Sequence, residues 1–480
     1  MILTTAQWLA IAPLLVVGAG VAALLLQGCF GRNRTAAATI GLVTLATAAL
    51  LSAPTADGAV AIPVTPLFMV DHGARLLWML FCGAGLVVVA LLRDYECGAR
   101  DPADEGVLLV LLAVFGALLL AAANHAASLL LGLELMAVAF YGLIAWPTHS
   151  PQRLEAATKY LILSAAASAA LLFGLALLYL LAGDAGLDAL APLAVAGSSP
   201  LALAGAALLW TGLAFKLALA PFHLWTADVY QGAPLPVTAL LATLSKAAVA
   251  AVLLRLTAVL PPQGVLWGLL ALLAAASMLV GASAALLTRS LKRMLAYSSI
   301  ANAGYLIVPV LIGGPLGAEA VLFFLFAYVP AGLIAFGALS QISALEGAEA
   351  DDPAALRGLW QRRPALALGL MLALLSLAGV PLTAGFLGKV YIVATGVDAG
   401  TWLLIGALVI SSALGLFYYL RIAVLLFQPP DDAASALPHR GVRWSPIPLA
   451  LSCGLVLWWG ILPASLMQEI RTTTQAVAPG

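Results

Sequence analysis

Four ionisable side chains sit inside stretches that are otherwise oil-like. Glu134 lies in ASLLLGLELMAVAFYGL and Lys216 in LLWTGLAFKLALAPFHLW. Lys246 lies in PVTALLATLSKAAVAAVLL and Lys389 in LAGVPLTAGFLGKVYIVA. A charge at the centre of a membrane helix costs about 2.5–3.5 kcal/mol on insertion scales, so four unpaired ones would cost about 10 kcal/mol. Such groups survive only if they face protein, touch water or give up their charge. One lysine alone could be a structural ion pair between helices. Three lysines and a carboxylate point instead to a path for protons or ions. Burial penalises the charged form, so these groups can exchange protons, and a nearby carboxylate such as Glu134 restores the charge.

The prolines mark where the supporting helices must break. Pro221 follows Lys216 by five residues, and Pro381 precedes Lys389 by eight. Proline lacks an N–H, so the carbonyls of Leu217 and Leu377 lose their helical partners. Pro234 and Pro236 open the span carrying Lys246. A plain kink would account for any one proline. Two broken helices in corresponding positions point to an ion site in a repeat-built transporter. The copies are faintly visible as EAATKY at 155–160 against EAVLFF at 319–324, and as LALAPFHLW against LAGVPLTAGF. Both offsets are about 160 residues, or five spans, which would invert the second copy. His223, just past the first break, could pass protons between lysines or simply satisfy a helix end. Lys159 follows Glu155 at i+4, the spacing of an ordinary ion pair, and is a secondary candidate. Asp228, in the loop joining the broken span to the next, is expected to make a helix-end or loop contact.

The elements that hold these residues follow from composition. The 480 residues are 64% apolar and 9% charged, with mean hydropathy +1.09. Soluble domains run about 45–50% apolar and about 25% charged. The chain is therefore an all-α polytopic membrane protein, which excludes a soluble enzyme. Its 21 basic and 21 acidic residues cancel, leaving no basic face for nucleic acid. At about 20 apolar residues per crossing, roughly fourteen spans emerge: 6–27, 35–53, 74–93, 104–122, 125–146, 156–182, 200–220, 234–259, 264–288, 295–313, 316–345, 364–397, 402–427 and 446–464. No run alternates as a barrel strand does. Loops after odd spans hold thirteen basic residues, among them Arg32, Arg100, Arg153, Lys292, Arg293, Arg440 and Arg443. Even loops and the termini hold only Arg75, Arg255 and Arg471. The positive-inside rule then places the odd loops in the cytoplasm and both termini outside.

Other motifs carry less. Cys29, Cys82, Cys97 and Cys453 are too scattered for a metal or iron–sulfur site, and so are His72, His125, His149, His223 and His439 for haem. GAGVAA at 18–23 imitates a dinucleotide fingerprint, but no strand precedes it, so close helix packing by small residues is expected. The N-terminus has no basic residue before its apolar run and reads as a retained first span.

The stretch KLALAPFHLWTADVYQGAPLPVTALLATLSK at 216–246 closely resembles the subunit N family of bacterial NADH–quinone oxidoreductase, respiratory complex I. EAATKYLILSAAASA at 155–169, LKRMLAYSSIANAGYL at 291–306 and PLTAGFLGKVYIV at 381–393 also resemble it, and the likeness covers about residues 100–425. The sister L and M families share the architecture, but M has Glu where Lys389 stands. The resemblance implies about 14 transmembrane helices with two inverted five-helix repeats, spans 4–8 and 9–13, and broken helices 7 and 12. The chain then divides into three N-terminal helices (1–100), a first repeat (101–260), a second, inverted repeat (261–430) and a cytoplasmic loop with a last helix (431–480). The resemblance further implies that Glu134 and Lys216 form a charge pair, that Lys246 is the central relay and that Lys389 serves one half-channel. Relatives often carry His or Lys in span eleven. This chain has only Tyr328 there, so water or hydroxyls would bridge that region.

The expected function is proton translocation in the bacterial inner membrane, driven by quinone reduction in partner subunits. No metal or cofactor is expected in this chain, with FMN, iron–sulfur clusters and quinone in a peripheral arm beside other membrane subunits. Two alternatives stand beside it: a subunit of a multi-subunit Na+/H+ antiporter, and a non-pumping membrane scaffold whose lysines serve assembly alone.

Overall fold

The computed structural model describes residues 4–54, 61–95, 104–146, 150–258, 264–346, 349–429 and 444–477. Cys97, Arg100, His149, His439, Arg440 and Arg443 lie outside these segments. Long apolar runs leave the backbone no solvent to bond with, so they close their hydrogen bonds inside helices. The helices are α1 (Thr5–Phe30), α2 (Arg34–Leu51), α3 (His72–Tyr95), α4 (Asp104–Ala121), α5 (Ala126–Ala145), α6 (Pro151–Ala182) and α7 (Leu187–Ala196). They continue as α8 (Pro200–Leu217), α9 (Leu224–Gly232), α10 (Leu235–Leu256), α11 (Gly264–Leu287), α12 (Leu291–Ile312) and α13 (Gly314–Glu346). The last six are α14 (Leu359–Arg362), α15 (Pro364–Ala378), α16 (Ala384–Asp398), α17 (Trp402–Leu425), α18 (Pro446–Ile461) and α19 (Ala464–Val477).

Twelve of these helices are long and apolar enough to cross a membrane, and α18 joined to α19 through an 81° bend makes a thirteenth candidate. The expected crossing at 364–397 is not one helix but two of 15 residues each, α15 and α16. The span expected at 200–220 is likewise interrupted, with α8 stopping at Leu217 and α9 resuming at Leu224. These are the two breaks foreseen from Pro381 and Pro221.

Three features were not foreseen. Strands β1 (Ile62–Thr65) and β2 (Phe68–Val70) pair antiparallel in the link between α2 and α3. The hairpin is too short to register as alternation. Helix α7 is too short to span, and α19 is amphipathic, carrying Gln468, Glu469, Arg471 and three threonines. Boundaries also moved. α6 begins at Pro151 rather than 156, because Pro fits the first helical position. α12 begins at Leu291 rather than 295, where the Ser290 side chain accepts the Arg293 N–H as an N-cap. Lys292 therefore belongs to a helix, not to a loop.

Burial orders the bundle from the inside out. In their most apolar windows α13 is 100% buried, α10 94% and α12 89%. The corresponding share is 33% for α1, α2 and α6, and 44% for α11 and α17. Close packing brings α6 against α8, where a Cβ added at Gly174 would stand 2.6 Å from the carbonyl oxygen of Gly205. Small residues are how membrane helices approach this closely.

Candidate functional site

Both breaks are built from left-handed backbone. Ala218 ends α8 at φ 61°, and Leu382 holds φ 75° between α15 and α16. They are the two non-glycine residues with positive φ among the described residues. Such backbone costs a Cβ-bearing residue about 1–2 kcal/mol, and strain of this kind collects at functional sites. The first break is braced from outside: the Ala220 N–H donates to Ser277 Oγ on α11 at 2.8 Å, and Trp225 Nε1 donates to the Phe215 carbonyl at 3.3 Å. The second is braced from within, as the Gly385 N–H donates to Ser376 Oγ at 3.2 Å and Thr383 Oγ1 to the Val380 carbonyl at 2.7 Å.

All three central lysines are buried, and each ammonium has an uncharged acceptor. Lys216 Nζ, in the last turn of α8, donates to Ser164 Oγ on α6 at 2.8 Å. Lys246 Nζ on α10 donates to the Ser299 carbonyl of α12 at 2.5 Å. Lys389 Nζ on α16 reaches back to the Ala378 carbonyl at 2.8 Å and to Ser412 Oγ at 3.0 Å. The freed carbonyl that serves Lys389 is thus Ala378, one residue beyond the Leu377 singled out from Pro381. Lys216 and Lys389 both place positive charge at the C-terminal end of the first half of a broken helix, the end whose dipole favours cations.

Glu134 is close enough for its charge to act on Lys216, yet the two make no ion pair in this structure. Lys216 is held by Ser164 instead, and Glu134 Oε1 is buried without a hydrogen-bond partner. Around this gap stand Tyr141 and Tyr160, with ring centroids 5.5 Å apart, and Trp225 lies 4.9 Å beyond Tyr160. The charge pair expected between Glu134 and Lys216 is therefore not made here, because Ser164 holds the ammonium instead.

Between Lys246 and Lys389 stand several separate hydroxyl pairs. Tyr328 OH donates to Ser299 Oγ at 2.9 Å and to the Ala242 carbonyl at 3.2 Å. Ser298, beside Ser299, bonds Tyr419 OH on α17, and Asn302 Nδ2 donates to the Ser298 carbonyl at 2.9 Å. Tyr305 OH pairs with Ser411 Oγ at 2.8 Å, and Lys389 Nζ lies 5.2 Å from the Tyr305 ring centroid. Ser412, the next residue of α17, accepts from Lys389.

The secondary candidates lie apart. Lys159 is 43% exposed and bonds Glu155 at 2.8 Å and Asp228 at 2.9 Å. His223 caps α9 by position, bonds neither lysine, and keeps a buried Nδ1 without a partner. Asp228 lies within α9 rather than in a loop, and joins Lys159 of α6 to Arg293 Nη2 of α12 at 2.9 Å.

Comparison with known proteins fits this arrangement. Residues 123–415 match the family described as NADH:quinone oxidoreductase/Mrp antiporter, transmembrane. The chain is 44% identical over 478 residues to NADH-quinone oxidoreductase subunit N of Ectopseudomonas mendocina (strain ymp), covering 97% of each. The chain belongs to the NADH-quinone oxidoreductase subunit N family. Among solved structures it is similar to a chain of respiratory complex I from Thermus thermophilus with bound aureothin, at 35% identity and TM-score 0.83 over 96% of this chain and 100% of that one. Its fold is also similar to a chain of the Mrp complex from Dietzia sp. DQ12-45-1b, at 22% identity and TM-score 0.85 over 99% and 100% of the two chains. A chain of the archaeal membrane-bound sulfane sulfur reductase is similar in fold as well, at 22% identity and TM-score 0.87 over 98% of each.

Within this subunit N chain, several polar residues near the lysines had not been singled out. Ser298, Ser299, Asn302 and Tyr305 recur at helical spacing inside the apolar run of α12, a periodic signal readable in LKRMLAYSSIANAGYL. Ser164 carried no such signal, because a lone serine is cheap in any helix. Lys292 was counted among loop cations, yet it is 2% exposed and donates to the Ala233 carbonyl at 2.7 Å and to Glu349 Oε2 at 3.0 Å.

Proposed function

We propose that this member of the subunit N family translocates protons in the membrane arm of an NADH:quinone oxidoreductase, through Glu134, Lys216, Lys246 and Lys389. Quinone reduction in partner subunits drives the cycle. FMN, iron–sulfur clusters and quinone belong to those partners, and this chain moves protons without redox chemistry. It sits in the bacterial inner membrane among other antiporter-like and small membrane subunits, with its arginine-rich end in the cytoplasm and both termini outside.

The observation that carries this reading is the set of three buried ammonium groups, each on a neutral acceptor, with hydroxyls of α12 and α17 standing between two of them. A neutral acceptor holds a lysine without fixing its charge, so the proton stays exchangeable. The open Glu134–Lys216 pair supplies a switch. Two unit charges brought to 4 Å gain about 4 kcal/mol at an effective dielectric of about 20. Closing the pair therefore loads Lys216, and opening it releases the proton toward Lys246. Lys389 hands protons on at the second break.

The test replaces Lys246 with Ala in the assembled complex and compares NADH oxidation with proton uptake in inverted vesicles. Proton uptake per NADH should fall. A wild-type ratio in an intact mutant complex would remove Lys246 from the path. Copurification with flavin and iron–sulfur subunits separates this reading from a Na+/H+ antiporter, and a lysine variant that alters assembly but not coupling would favour a scaffold.

A further inference from the structure

The proton path just proposed needs a loading point, and the residues named so far stop short of the loops. One further buried lysine lies between them and the arginine-rich end. Lys292 occupies the first turn of α12 at 2% exposure. Its ammonium caps the Ala233 carbonyl, where the broken span ends and α10 begins, and it bonds Glu349 of the link after α13. Glu349 is in turn bonded by Tyr95 OH and lies 3.8 Å from Arg153 Nη2, and its side chain is 34% exposed. Glu349 thus touches solvent on one side and a buried lysine on the other.

Inward from Lys292 the geometry continues toward Lys246. Ser299, whose carbonyl holds Lys246, lies seven residues on, two turns along the same face of α12 and about 10.5 Å away by helical rise. Beside that gap is Tyr230 on α9, one turn before Ala233. Its hydroxyl is buried without a hydrogen-bond partner, near enough to Ser299 and Tyr328 for their polar groups to act on it. A buried phenol normally finds a partner, so an unpartnered one between two lysines is a donor and acceptor in waiting. Gln231 and Arg293 brace the surroundings without entering the gap: Arg293 Nη1 donates to Gln231 Oε1 at 2.8 Å, and Gln231 Nε2 to Asp351 Oδ2 at 3.0 Å.

We propose that Lys292 is a proton-loading residue of this chain, taking protons from the Glu349 side and passing them through the Tyr230 hydroxyl and Ser299 to Lys246, where they join the route from Lys216. This rests on the proton-translocating function proposed above and names a point where protons enter that path. Each transfer is balanced. Lys292 gives up one proton and becomes a neutral amine. Tyr230 accepts a proton on its oxygen as it donates its own to the Ser299 hydroxyl, which in turn gives its own proton to the neutral amine of Lys246. Lys246 gains one and becomes an ammonium. Lys292 then takes a proton from the aqueous side by way of the Glu349 carboxyl.

The experiment uses the assembled complex in inverted membrane vesicles and reads proton uptake per NADH oxidised in K292R, Y230F and K246A side by side. Arginine keeps the positive charge and can still bond Ala233 and Glu349, but it does not release its proton in a protein. A purely structural clamp would therefore survive K292R. Proton loading would not, and the ratio should fall below wild type toward that of K246A. Y230F keeps the ring and removes only the hydroxyl, and it too should lose part of the ratio. A wild-type ratio in K292R overturns the loading role. Should K292R fail to assemble, Y230F decides, because a wild-type ratio there overturns the route. If K246A itself pumps at the wild-type ratio, the function proposed above fails. If K246A loses pumping while K292R keeps it, only the present inference falls.

Discussion

Lys246 and Tyr328 share one residue: the lysine donates to the Ser299 carbonyl at 2.5 Å and the tyrosine to the Ser299 hydroxyl at 2.9 Å. Tyr328 on α13 and Lys246 on α10 therefore meet at one residue of α12. The Tyr328 hydroxyl thus meets the side chain of the same serine whose carbonyl holds Lys246.

Tyr328→Phe should therefore weaken the relay at its centre. The variant loses bonds to Ser299 and to the Ala242 carbonyl but keeps its stacked ring contact with Phe324. A net loss of about 1 kcal/mol for a hydrogen bond corresponds to roughly fivefold slower transfer. Coupled NADH oxidation in sealed vesicles, with and without an uncoupler, measures it. Equal coupled rates in variant and wild type would exclude Tyr328 from the path.

Ser164→Ala removes the neutral acceptor of Lys216. A charged donor left unpaired inside the bundle costs about 1.5–3 kcal/mol, which is roughly tenfold or more in rate if the ammonium lies on the route. Serine-to-threonine at the same site restores the hydroxyl and should recover most of the loss. The readout is turnover normalised to assembled complex, and an unimpaired Ser164→Ala complex would show that Lys216 does not depend on this bond.

Gly379 tests the second break. It holds φ 83° at the end of α15, and a Cβ there would stand 2.9 Å from Lys389 Cδ and 3.3 Å from its Nζ. Gly379→Ala adds about 1–2 kcal/mol of backbone strain and pushes Lys389 off the Ala378 carbonyl. Proton uptake per NADH should drop, together with the thermal midpoint of the purified complex. If neither changes, the lysine does not need its place at the helix end.

The sequence revealed what is chemically out of place and missed what blends in. Lys216, Lys246, Lys389 and Glu134 stood out because a charge in an apolar run is expensive. The breaks stood out because proline cannot donate. Ser164 and Ser412 did not, since a serine can return its hydroxyl to its own helix and so needs no partner to be tolerated. Lys292 was misplaced for a different reason. A cation one residue inside a helix looks the same in sequence as one in the preceding loop, and only the packing of Ala233 and Glu349 against it reveals its burial. The β1–β2 hairpin and α7 were missed because short elements in the links carry too few residues for a period to show.

The burial of α10, α12 and α13 has a consequence for leakage. Lys246, Ser299 and Tyr328 all lie on these three helices, which the outer helices screen from acyl chains. A hydron travelling there has protein on every side, so the insulation that keeps it from short-circuiting sideways is supplied by the subunit itself. Bilayer thickness or annular lipid composition can then alter how the outer helices tilt without changing the medium through which the charge moves.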